Sequence, residues 1–192
     1  MTSPTDVKKE INAHAWEREE NEHYVEPEWC SQRLFDEERF EGIIYDPACG
    51  FGNIPKSAIS AGFVTWAADI VDRGYLDGRP KSDFFYFDLP ADNIVTNPPF
   101  NVADKFALHA LRIARHKVAM IFPTARLNAA HWMRGTPLRR VWLMTPRPSM
   151  PPGHVIARGE KATGGKMDFC WLVWEKKYSG NAELHWLRRE KR

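Results

Sequence analysis

The chain has 192 residues, of which 43% are hydrophobic and 12% aromatic, a length and composition suited to one globular domain with its own core. No stretch is long and apolar enough to span a bilayer. The N-terminus lacks the apolar segment of a signal peptide, so a cytoplasmic location is the expectation. The net charge of +2 conceals an asymmetry: residues 1–104 hold 9 Lys+Arg against 20 Asp+Glu, and residues 105–192 hold 18 against 5. Such a basic half either faces a polyanionic partner or neutralises the acidic half across the molecular surface.

In chain order, residues 1–23 form a polar, charged arm. It reads equally as a short helix, with Ile11, Ala15 and Trp16 as its apolar positions, or as a solvated segment. Ile43-Ile44-Tyr45 is an apolar run ending in Asp46 and followed by glycines, which predicts a strand and a turn. Ile54 to Ala61 reads as a helix stopped by Gly62. Phe63 to Ala68 is a second strand, ending at Asp69. Phe84 to Phe87 reads as a third strand and Ile94 to Thr96 as a fourth. Within 102–115, Val102, Phe106, Ala110 and Ile113 share one helical face. Val118 to Phe122 is a fifth strand, and a helical stretch from Ala125 to Met133 follows. Val141 to Met144 and Phe169 to Trp174 are two late strands.

Strands alternating with helices predict an α/β fold, a mostly parallel seven-stranded sheet with helices on both faces. Residues 145–166, rich in Pro and Gly, are too long for a hairpin and read as a functional loop. The folded domain is expected over 24–178, with 179–192 as a basic tail. Cys30, Cys49 and Cys170 are far apart and lack CxxC spacing. They suggest neither a metal site nor a disulfide framework, but thiols packed as small hydrophobes.

Asp46-Pro47-Ala48-Cys49-Gly50-Phe51-Gly52-Asn53 joins the first strand to the first predicted helix of the sheet. Glycines there permit a tight turn and close approach of a ligand to the backbone. Asp69 ends the next strand, 19 positions beyond Gly50, where a carboxylate can accept from ribose hydroxyls. A triphosphate loop would need Gly-Lys-Ser/Thr, which is absent, and the third glycine of a dinucleotide turn is replaced by Pro55. Asp46 would repel a pyrophosphate and suit an ammonium. The turn therefore fits an adenosyl group with a cationic tail.

Asn97-Pro98-Pro99-Phe100 follows the fourth strand. In open α/β sheets ligands bind at the carboxyl ends of the strands, so this tetrapeptide belongs to the same edge as Asp46 and Asp69. An exocyclic purine amine is a poor nucleophile because its lone pair is delocalised into the ring. Two fixed acceptors, the Asn97 side-chain carbonyl and the Pro98 backbone carbonyl, would favour the pyramidal, reactive nitrogen. Consecutive prolines stiffen that arrangement, and Phe100 offers a flat face to a base.

Residues 46–52 (DPACGFG) resemble motif I of class I S-adenosylmethionine-dependent methyltransferases, in the form found in DNA N6-adenine methyltransferases. The resemblance implies a Rossmann-like fold and S-adenosylmethionine as cofactor. It assigns cofactor contacts to Asp46, Ala48, Gly50, Gly52, Asp69 and the adjoining Ile70. It also gives Asp83 and Phe84 the adenine end, with Asp88 a rival for the acidic role. Tyr24 to Trp29 resembles the family's upstream motif, which implies that Glu26 and Trp29 cover the methionine end. Trp29 reads equally as core packing. The order of motifs, cofactor before catalysis, is that of the γ class, and the chain as a whole is similar to small phage-type members. DNA is the implied partner, its target base flipped into the site.

Around the substrate, Arg126, Arg147 and Lys166 are candidate phosphate contacts, and Phe169 a second wall of the base pocket or a core aromatic. No metal is called for. Restriction-system members of the γ class carry a large recognition domain after the last strand, whereas fewer than about 20 residues follow Trp174 here. Sequence recognition would then be short, come from the 145–166 loop, or be supplied by a partner or second subunit. Methylation of RNA or of a protein glutamine, and a non-catalytic nucleic-acid-binding subunit, are the competing readings.

Overall fold

Seven strands assemble into one sheet, in the order β2-β1-β3-β4-β6-β5-β7, in a computed structural model that describes residues 23–159 and 167–190. The strands are β1 (Ile44–Asp46), β2 (Thr65–Ala67), β3 (Ala91–Thr96), β4 (Ala114–Pro123), β5 (Leu138–Thr145), β6 (Phe169–Glu175) and β7 (Glu183–Arg188). Six run parallel. β6 alone is reversed, wedged between β4 and β5. The N-terminal arm through residue 22, with Ile11, Ala15 and Trp16, lies outside the described residues, and so does Lys166.

Side chains alternate along the central strands and feed two cores. On one face Ile44, Val95, Ile121 and Trp171 pack under α1 (Glu28–Glu37) and α2 (Asn53–Ser60). On the other, Ile94, Met120, Leu172 and Trp174 pack under α3 (Ala103–Ile113). α3 presents Ala103, Phe106, Ala107 and Ala110 inward, so three alanines let it lie close to the sheet. The centre of β6 is wholly buried, and its indoles are satisfied: Trp171 Nε1 donates to the Cys30 carbonyl and Trp174 Nε1 to Thr136 Oγ1, each at 3.0 Å. Cys30, Cys49 and Cys170 are free and buried. Among the described residues no helix is long and apolar enough to cross a membrane.

The structure departs from the sequence reading at four elements. Phe84 to Phe87 is not a strand: Phe84–Tyr86 form a 3-10 turn, capped by Asp83 Oδ1 accepting from the Phe85 N–H at 2.9 Å. The stretch from Ala125 to Met133 is two 3-10 segments, Thr124–Ala129 and His131–Met133. Neither buries a residue, so neither has the apolar face that sustains an α-helix. α1 occupies a region given no helix in the sequence reading. Residues 183–188, expected as part of a basic tail, form β7 and pair in parallel with β5. The 145–166 loop contains a short helix, α4 (Gly153–Ala157), within its described part.

Candidate active site

The parallel strands aim their carboxyl ends at a cavity of about 250 Å³. The turn after β1 contributes Ala48, the end of β2 contributes Asp69 and Ile70, and the 3-10 turn contributes Asp83 and Phe84. Asn97 and Pro99 enter from the end of β3. A second, smaller cavity adjoins it, bordered by Glu26, Asp46 and Gly50, and the two share Ala48 and Asn97.

The glycine turn is held by the protein itself. Gly50 (φ +51°) and Gly52 (φ +81°) are both left-handed. A Cβ on Gly50 would lie 2.4 Å from His23 Nε2, and one on Gly52 2.1 Å from the Tyr75 ring. Asp69 braces the turn: one carboxylate oxygen accepts from the Gly50 N–H and the other from the Val71 N–H, each at 2.9 Å. Asp69 thus supports the loop as well as lining the cavity.

Two acids, Glu26 and Asp46, border the smaller cavity, and Asp69 lies on the larger one beside it. Burial pushes the Asp46 carboxyl well above the usual carboxylate range, and the charges of Glu26 and Asp69 add to the rise. Burial likewise raises Glu26 to about 7, against the hydrogen bond it receives from Asn97. His23 contributes no compensating charge, because burial and nearby Arg73 lower it to about 4. The smaller cavity is therefore matched to a cation.

Asn97 directly follows β3. Its Nδ2 donates to the Tyr24 carbonyl and to Glu26 Oε2, both at 2.8 Å. Its Oδ1 is buried and has no hydrogen-bond partner among the described residues. Pro98 is buried and Pro99 is half-buried.

Other expected residues lie elsewhere. Phe100 is 5% exposed and its ring is stacked on Tyr24 at 5.7 Å. Phe169 packs against Phe100 at the same distance and is itself buried, so it is a core aromatic and not a pocket wall. Trp29 packs on the core from α1. Gly52 meets Tyr75 instead of the cavity. Asp88 is exposed and bonded to Arg112, which leaves Asp83 as the acid beside the cavity. Arg126 donates to the Phe100 carbonyl, and Arg147 pairs with Asp168 at 2.6 Å.

Sequence reasoning did not single out His23, Arg73 or Phe85, all of which line the larger cavity. His23 is placed by pairing across the whole chain: its carbonyl accepts from the Gly153 N–H at 2.8 Å, and Val25 N–H donates to the Pro151 carbonyl at 2.9 Å. Such long-range pairing leaves no local pattern. Phe85 was hidden in a run read as a strand.

No family model and no curated protein matches the chain. Solved structures do. A putative RNA methyltransferase from Pyrococcus horikoshii superposes with a TM-score of 0.56 at 16% identity, over 77% of this chain and 82% of that one. A modification subunit of a putative type I restriction enzyme from Vibrio vulnificus gives 0.59 at 14% identity, over 81% of this chain. The chain spans only 45% of that subunit's length. A magnesium protoporphyrin IX methyltransferase from Synechocystis with bound S-adenosylmethionine gives 0.52 at 12% identity, over 77% and 76%. Likeness at these identities establishes the architecture, a Rossmann-like class I methyltransferase fold.

Proposed function

We propose that this chain transfers a methyl group from S-adenosylmethionine to an exocyclic amine, N6 of adenine in DNA. The observation that carries the reading is Asn97: a cavity-lining side chain pinned through its NH2 group, with a buried carbonyl oxygen that has no partner among the described residues. An unpaired buried acceptor is costly unless a ligand completes it, and an amine N–H is the complement it lacks.

The chain's residues fit the cofactor. Asp46 and Glu26 offer carboxylates to an ammonium in the smaller cavity, and Asp69 lines the larger one where a ribose would lie. Asp83 and Phe84 flank its far end. When bound, S-adenosylmethionine would supply a sulfonium methyl carbon: the amine nitrogen would bond to it as the carbon–sulfur bond broke, and one N–H proton would pass to water. Asn97 Oδ1 accepts one N–H of the amine, and the Pro98 carbonyl serves as the second acceptor. Both are fixed before the reaction, so they need not reorganise as the nitrogen becomes pyramidal.

DNA as substrate draws on the motif resemblance and on the basic half of the sequence. The test is methyl transfer from tritiated cofactor to duplex DNA, structured RNA and release-factor protein in parallel. Label in RNA or protein alone overturns the choice of substrate. Failure to bind the cofactor by calorimetry favours a non-catalytic subunit. Asn97→Ala should abolish turnover, by on the order of a thousand-fold or more, while cofactor affinity changes by less than about three-fold. Retained turnover would sink the role given to Asn97.

A further inference from the structure

An asparagine amide has nearly the same shape when turned over, with opposite chemistry. Reversed, Asn97 would offer N–H donors to an amine that needs an acceptor. Two groups prevent this. The Tyr24 carbonyl is a neutral acceptor of fixed strength. Glu26 is not: its carboxyl can carry a charge or a proton, and it borders the smaller cavity on the side where Asp46 and Gly50 lie.

Resting on the methyltransferase reading, we propose that Glu26 is a positioning residue for Asn97, and that a cation entering the smaller cavity sets its charge. Ionised, Glu26 receives a charge-assisted bond from Asn97 Nδ2. Such a bond is about twice as strong as its neutral counterpart and draws electron density toward Oδ1. Protonated, it holds the amide more weakly. Filling the ammonium site therefore prepares the acceptor that the substrate amine needs, and the two ends of the site become coupled.

The groups that face Glu26 support this. Asp46 from β1 borders the same cavity, and its own ionisation is opposed first by burial and then by the charges of Glu26 and Asp69. Cys30 on α1 is a neutral thiol whose own ionisation is opposed by Glu26. His23, in the same upstream segment, is held neutral and offers no cation. Burial leaves Glu26 poised at about 7, so a single added positive charge decides its state near neutral pH.

The test compares the full chain with Glu26→Gln, which can still offer a carbonyl to Asn97 but never a charge, and with Glu26→Ala. The first readout is the Asn97 side-chain amide resonance across pH 5.5–8.5. In the unaltered protein it should shift with a midpoint near 7 and move to its high-pH position when cofactor is added at pH 6, and Glu26→Gln should hold it flat. The second is kinetic: Glu26→Gln should lose on the order of ten-fold in kcat, with KM for DNA little changed, and Glu26→Ala should lose more. The acid limb of kcat/KM for the cofactor should vanish in both. An Asn97 resonance that ignores pH and cofactor, or a Glu26→Gln enzyme with unaltered kcat and pH profile, overturns the proposal. A resonance that titrates as stated, in a protein that methylates no amine, upholds the contact and overturns the methyltransferase reading instead.

Discussion

Gly52 is required by a neighbour, not by a ligand. Its backbone is left-handed, and the Tyr75 ring occupies the space of a Cβ. Gly52→Ala therefore combines backbone strain with a clash and should destabilise the fold by about 2–3 kcal/mol. Urea unfolding checks this, and Tyr75→Ser in the same chain should recover the part due to the clash. At this scale the sequence revealed what depends on neighbours in the chain. Strand-turn-helix spacing pointed to Ala48 and Gly50, and strand-end position to Asp69 and Asn97, and the structure brings these four around adjoining cavities. The aromatics were less legible. Phe100, Phe169 and Trp29 carry no local signal of whether a ring faces a cavity or the core, because that is decided by packing between segments distant in the chain, as where Trp171 Nε1 donates to the Cys30 carbonyl in the core these rings share.

Element by element, the parallel core strands were evident from their apolar runs, whereas the margins were not. β7 reads ELHWLR, with charged ends and no clean alternation: Leu184 and Trp186 are exposed while Leu187 is fully buried. Only pairing with β5 makes it a strand. Its anchoring rests on Leu187, which joins Trp142 and Met144 in the core beneath α1. Leu187→Ala should cost about 2–5 kcal/mol. Thermal unfolding should show that loss, and Trp186→Ala, on the exposed face, should change stability by less than about 0.5 kcal/mol. Equal effects would mean that β7 is not docked as described. The two 3-10 segments after β4 show the converse case, where helix-forming residues without an apolar face to bury do not make an α-helix.

For the molecule as a whole, the charge asymmetry is partly resolved inside the fold. Glu38, at the end of α1, is 2% exposed and accepts from Lys117 at 2.8 Å, Arg140 at 3.0 Å and Trp142 Nε1 at 2.9 Å. It ties the acidic half to β4 and β5 of the basic half. Burial alone would raise its carboxyl, but the hydrogen bonds from Lys117 and Trp142 and the charges of Lys117 and Arg140 outweigh burial and hold it below the usual range. A depressed native value stabilises the fold above the unfolded pKa, and that contribution is lost as pH falls through the native one. Glu38→Gln should therefore destabilise the protein by about 3 kcal/mol at pH 7, leaving Lys117 and Arg140 only their longer pairs, with Glu175 at 3.7 Å and Glu183 at 3.6 Å. The gap between variant and parent should narrow in unfolding measured toward pH 3. A gap independent of pH would show that the Glu38 charge does not matter.

Arg139 and Arg147 are also engaged, with Glu175 and Asp168. The strength of attraction to a polyanion depends on how many of its condensed counterions a protein can displace, about 0.9 of an ion for each phosphate neutralised. Cations already bonded to carboxylates displace few, since each must first give up an internal partner. The count of 18 Lys+Arg in residues 105–192 therefore overstates the hold on a nucleic acid. The internal pairs centred on Glu38 would leave any grip of this chain on a polyanion gentler, and less sensitive to salt, than its sequence suggests.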